Sequence, residues 1–144
     1  MTRRIVLGFD GSPGADAAVE WCQEYALALD AEVIAVAVLD LVPFTGLPPA
    51  DSPLSGAAIE TMEQVTTKTL EEGVTPLRDR GVACRTLVET GNPAEVLNRV
   101  AVQEDADLVV VGRRGRGGFA EMLLGSVPHA LAHHCTRPLV IVPL

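Results

Sequence analysis

The sequence predicts a three-layer α/β fold, a parallel sheet covered by helices on both faces. Two patterns carry that expectation. Five short β-rich runs alternate with four helical stretches, and four of the runs are almost continuously apolar. Parallel strands buried on both sides need such runs, and strand–helix alternation implies right-handed crossovers. Size agrees: 144 residues, 48% hydrophobic and 21% charged, suit one domain spanning 1–144 and exclude a disordered chain. Aromatic residues are only 3%, so Val, Leu, Ile and Ala must build the core.

The first run, Arg4–Phe9, precedes a helix from about Gly14 to Leu29, with Ala15, Ala18, Val19, Cys22, Ala26 and Leu29 along one side. The second run is Glu32–Leu39. Behind it, 40–55 carries Pro43, Pro48, Pro49 and Pro53; it exceeds an ordinary connection and reads as a lid or an unstructured segment. A second helix is expected over Gly56–Asp79, burying Ile59, Met62, Thr66, Leu70, Val74 and Leu77. The third run, Val82–Glu89, mixes polar and apolar residues and suits an edge strand. Asn92-Pro93-Ala94-Glu95 opens the third helix, with Asn92 as N-cap, Pro93 at the first helical position and Glu95 able to complete a capping box. After the fourth run, Asp107–Val111, a last helical stretch lies between Phe119 and His134. It is interrupted at Gly125-Ser126-Val127-Pro128, where Ser126 is expected to cap a fresh helix. Leu139–Val142 is the fifth run.

Eleven Lys plus Arg against nineteen Asp plus Glu give a net charge of −8. A chain this acidic repels duplex DNA and anionic membranes, and its few aromatics offer single strands little to stack on. Neither nucleic acid nor membrane is expected as a partner. Positive charge gathers only at Arg113, Arg114 and Arg116, enough for one small anion. Lys68 is the sole lysine. No apolar stretch approaches the roughly 18 residues of a membrane span. The run behind Arg3 and Arg4 is too short for a signal peptide. Cys22, Cys84 and Cys135 are odd in number and widely spaced, and read as thiols of a reducing cytoplasm.

The chemistry concentrates in GRRGRGGFAEMLLGS, residues 112–126, directly after the fourth run. In doubly wound sheets ligands bind beyond the carboxyl ends of the strands, where strand order reverses. Gly112 and Gly115 can adopt backbone angles closed to other residues and let an oligophosphate approach. Gly117 and Gly118 extend a run of amides able to form an anion nest. Gly125 and Ser126 open a helix, whose free N–H groups and positive partial charge favour phosphate. Ser126 Oγ can cap that helix or meet a phosphate, and Arg113, Arg114 and Arg116 supply charge. This is not a Walker loop, which needs a lysine, nor a dinucleotide fingerprint, which needs an acidic residue about 20 positions on. A second element, Gly8-Phe9-Asp10-Gly11-Ser12-Pro13, ends the first run. Asp10 could bind a ribose, a base or a phosphate-bound metal; alternatively, Asp10 or Ser12 caps the first helix.

Together these elements resemble the universal stress protein family. Its nucleotide signature is Gly, two residues, Gly, nine residues, Gly, then Ser or Thr, met here by Gly112, Gly115, Gly125 and Ser126. VLGFDGSP at 6–13, GNP at 91–93 and RPLVIVP at 137–143 are also similar to that family, so the likeness spans the chain. The resemblance implies a Rossmann-like sheet of order 3-2-1-4-5 and binding of ATP with Mg²⁺ or Mn²⁺. It implies that Gly8 and Asp10 line the adenosine end and that Val38 meets the adenine. It further implies that Gly112 to Gly118, Gly125 and Ser126 hold ribose and phosphates, with Val127 adjacent. It suggests a homodimer in which strand 139–142 pairs with its copy, since an exposed apolar edge needs cover. Two positions depart from the family's habit: Arg113 follows Gly112, where a smaller or hydroxyl-bearing residue is frequent, and Phe9 precedes Asp10.

The expected activity is that of a cytoplasmic nucleotide-binding regulator, read by a protein partner and hydrolysing ATP slowly at most. An ATP-using hydrolase or transferase needs a positioned nucleophile and base; no catalytic residue is assigned. A ligand-free dimeric interaction protein is the other alternative. Consecutive His133, His134 and Cys135 do not face one way and make a poor metal site, so no metal ligand is assigned either.

Overall fold

The computed structural model describes residues 2–41, 55–114 and 124–144. Segment 42–54, and with it most of the expected lid, lies outside the described residues, as do Gly115, Arg116, Gly117 and Gly118. The chain runs β1 (Arg3–Gly8), α1 (Pro13–Leu29), β2 (Ala31–Leu39), α2 (Gly56–Gly73), α3 (Thr75–Asp79), β3 (Cys84–Thr90), α4 (Pro93–Gln103), β4 (Leu108–Gly112), α5 (Ser126–His134) and β5 (Leu139–Val142). The five strands form one parallel sheet, as the alternation of runs predicts, of order β3-β2-β1-β4-β5, as the family resemblance implies. Strand order therefore reverses between β1 and β4. Gly8 pairs with Val36, while Val110 lies opposite Leu7, so both strands run out at the same end of the sheet.

Two apolar layers sandwich the sheet. Ile5, Leu7, Phe9 and Val110 pack with Ala18, Cys22, Leu70, Val74 and Leu77 under α1, α2 and α3. On the opposite face Val6, Ile34, Val36, Val109 and Val111 pack with Leu97, Val100 and Leu131 under α4 and α5. The α1 stripe is placed as its spacing requires, apart from Leu29, which is only half-buried. Phe9, one of the two departures, is a core residue: its ring lies where a Cβ on Gly73 would come within 2.2 Å of Cζ.

The expected Gly56–Asp79 helix is two helices, broken at Val74 (φ −93°, ψ −1°). Pro76 has no N–H to bond the Glu72 carbonyl, and its ring would crowd that oxygen in a continuous helix. The chain re-starts instead, Val74 O accepting from Leu77 N at 2.9 Å. Val74 and Leu77 stay buried across the break. Asn92 caps α4 as expected, its side chain accepting from Glu95 N at 3.1 Å.

The two sheet edges differ. Edge strand β3 carries Arg85 and Glu89, and Arg85 bridges Glu32 at 3.1 Å and Glu104 at 2.9 Å. Half-exposed pairs of this kind contribute little stability but discourage edge pairing. Edge strand β5, Leu139-Val140-Ile141-Val142, has no charge.

Burial pushes the Cys22 thiol up to about 12 and Cys84 to about 11, Cys84 adding to the effect at Cys22. Both thiols stay protonated and weakly reactive at neutral pH. In the unfolded chain they ionise near the ordinary value of 9.0, so the unfolded state releases protons first as pH rises. Stability is therefore full below pH 9 and falls between there and about 12. Urea midpoints measured across this window should decline, and Cys22→Ala should flatten the decline.

Candidate functional site

The site forms where β1 and β4 run out. At the end of β1, Gly11 (φ +76°) makes the turn that a side chain would strain. Ser12 then caps α1, its Oγ accepting from Ala15 N at 3.1 Å, while Asp10 Oδ1 accepts from Ser12 N at 3.0 Å. Capping thus belongs to buried Ser12, and Asp10 orders the turn from an exposed position at the carboxyl end. Val38 lies two residues beyond Val36, the partner of Gly8, and so overhangs the end of β1 on the face of α4. A Cβ on Gly8 would lie 2.9 Å from Leu97 Cδ1 and 3.0 Å from Val111 Cγ1. The smallness of Gly8 therefore serves the core beneath the site.

At the end of β4 the backbone carries the geometry. Arg113 N donates to Val142 O at 2.8 Å, continuing the ladder with β5. Arg113 O accepts from Gly125 N at 2.8 Å. One hydrogen bond thus joins the two halves of the glycine motif. Among the described residues Gly112 and Gly125 do not take positive φ, contrary to the expectation for Gly112. Gly112 is required for room instead: a Cβ there would sit 2.4 Å from Gly14 O and 2.5 Å from Gly14 C.

Ser126 does not cap the last helix. Gly125, extended at φ −65° and ψ 167°, occupies the N-cap position without a side chain, and exposed Ser126 is the first helical residue. The first-turn amides of Ser126 and Val127, which no carbonyl of the helix itself can bond, and the Ser126 hydroxyl therefore share the mouth of the site with Arg113 and exposed Arg114. Arg113 is half-buried, and its Nε is buried without a hydrogen-bond partner among the described residues. Leaving a charged donor so placed costs more than the roughly 1–3 kcal/mol of a neutral one, and an acceptor oxygen relieves it. Val127 is half-buried and packs on the α4–α5 layer.

His129, His133 and His134 lie on the exposed surface of α5, the first two edge to face at 4.8 Å. His133 and His134 occupy its last turn, where they complement the helix dipole. Among the described residues no group of three or more His, Cys, Asp or Glu side chains converges as a metal site. Sequence reasoning missed Gly14. Its signal was a glycine in the first turn of a helix, where Ala is preferred unless backbone approaches closely.

The universal stress protein family model matches residues 1–143. Universal stress protein MJ0531 of Methanocaldococcus jannaschii is 31% identical over 97% of this chain and 81% of its own length. A Mycolicibacterium smegmatis universal stress protein is 34% identical over 96% of this chain, which spans only 45% of that relative. Among solved structures, hypothetical protein MJ0577 superposes with TM-score 0.87 at 22% identity, covering 100% of this chain and 97% of that one. A universal stress protein in complex with cAMP gives 0.74 at 24% identity, covering 97% and 96%. An Arabidopsis thaliana family member with AMP bound gives 0.66 at 20%, covering 98% and 90%. The structural likenesses establish the shared fold; it is the match along almost the whole sequence that makes this chain a member of the universal stress protein family.

Proposed function

We propose that the protein is an ATP-binding regulatory module of the stress response, which takes the nucleotide at the mouth between β1 and β4. The observation that carries this reading is the Arg113 O···H–N Gly125 bond at 2.8 Å, which gathers both halves of the glycine motif at the point of strand reversal. Adenine nucleotides in two of the structural neighbours support the ligand class. Gly112 to Gly118, Gly125 and Ser126 hold ribose and phosphates, with Val127 adjacent; Gly8, Asp10 and Val38 border the adenosine end. The orphaned Arg113 Nε and the uncapped start of α5 fit an anion there. Arg114 and Arg116 add charge. Asp10, the carboxylate placed at that end of β1, would help hold a phosphate-bound Mg²⁺ or Mn²⁺. When bound, the cation neutralises phosphate charge.

The module works as a cytoplasmic homodimer, a two-fold pairing β5 with its copy antiparallel across the uncharged edge, and a protein partner reads the occupied form. Among the described residues no helix is long and apolar enough to cross a membrane. ATP hydrolysis is slow at most.

Mass spectrometry of the supernatant from heat-denatured pure protein should find ATP or ADP released in near-stoichiometric amount. Arg113→Met should weaken ATP binding roughly tenfold, about 1.4 kcal/mol, while leaving adenosine binding unchanged, as calorimetry can measure. No nucleotide in the supernatant and no heat with ATP would remove the reading. Phosphate release faster than about 1 s⁻¹ would replace it with an enzyme. A monomer by sedimentation at micromolar concentration would remove the dimer.

A further inference from the structure

We propose that Gly14 is a positioning residue for this site: by lacking a side chain it lets the first turn of α1 hold the end of β4, and so the closure between Arg113 and Gly125. The proposal rests on the reading above for what is bound, though not for how the cradle is held. A Cβ on Gly14 would lie 1.9 Å from the Arg114 carbonyl oxygen and 3.1 Å from its carbon. From the other side, a Cβ on Gly112 would lie 2.4 Å from Gly14 O. The contact is reciprocal and made of backbone, so no rotamer change can relieve it.

The helix cannot readily yield. Ser12 caps it, Asp10 ties the capping residue, and Ala15, Ala18, Val19 and Cys22 are locked in the core. The strand end is what must move. Arg114 directly follows the residue whose carbonyl accepts from Gly125 N, so pushing its peptide aside strains the hydrogen bond that joins the two halves of the motif. Local helix propensity alone would favour Ala at position 14. The contact with the end of β4 calls for glycine against that preference.

The test compares Gly14→Ala with Gly56→Ala, a first-turn glycine whose Cβ would meet nothing within 4 Å among the described residues. Without ligand, exchange of the Gly125 amide should accelerate about tenfold in Gly14→Ala while the β2–β3 ladder keeps its wild-type rates. ATP affinity should fall by about tenfold or more. Gly56→Ala should change neither. Unchanged Gly125 exchange in a folded Gly14→Ala, or uniform acceleration across the sheet, would overturn the proposal. Faster Gly125 exchange in a protein that takes no ATP would uphold it and remove only the nucleotide reading. If Gly14→Ala does not fold, native-state exchange of the wild type decides: the Ala15 and Gly125 amides should open in one event, and two separate openings would refute the coupling.

Discussion

Gly112→Val should abolish the rise in melting temperature that ATP confers on the wild type. At a hundredfold excess over Kd, a ligand confined to the folded state contributes about 2.7 kcal/mol. For a chain of this size that is a shift of roughly 10 °C. Even the first carbon of a side chain at 112 would sit 2.4 Å from Gly14 O and 2.9 Å from Gly14 Cα. Overpacking usually costs about 1–3 kcal/mol, and a backbone neighbour puts this case at the upper end, because neither side has a rotamer to spare. The ligand-free variant should therefore melt lower, and its curve should not move with ATP. A variant that keeps the full ATP shift would show that the end of β4 plays no part in binding.

Leu131→Ala should produce the largest loss of stability among single changes near the site. Leu131 is 1% exposed and fixes α5 in the layer formed with Val109, Val111, Leu97 and Val100. Truncating such a residue removes transfer energy and leaves a cavity, at about 2–5 kcal/mol. The expected signature is a lower urea midpoint with an unchanged slope. ATP binding should also weaken, because Leu131 anchors the helix whose start supplies Gly125, Ser126 and the free amides. A loss below about 1 kcal/mol would mean that the layer collapses onto the gap.

The architecture was legible because burial on both faces leaves a plain mark. RIVLGF, EVIAVAVL and DLVVV could be little else than central parallel strands, and the mixed VACRTLVE marked the edge that β3 occupies. Asn92-Pro93 announced α4 through local chemistry alone. What escaped were features set by contact between distant segments. Pro76 stood in plain view, yet the apolar stripe through Val74 and Leu77 continued across it and hid the break. Ser126 looked like a cap because Ser is a preferred one; the extended conformation of Gly125 moved the helix start one residue earlier. Gly112 was assigned to backbone freedom, whereas the fold requires it for room against Gly14, a neighbour 98 positions away that sequence spacing cannot reveal. Phe9, unexpected before Asp10, finds its place over Gly73.

Assigned backbone amide spectra of the protein titrated with Mg²⁺–ATP address the central claim most directly. The largest shifts should fall on Gly112 to Arg114 and on Gly125 to Val127, saturating together with one dissociation constant. Saturating shifts gathered elsewhere on the sheet, or none at all at millimolar nucleotide, would contradict it.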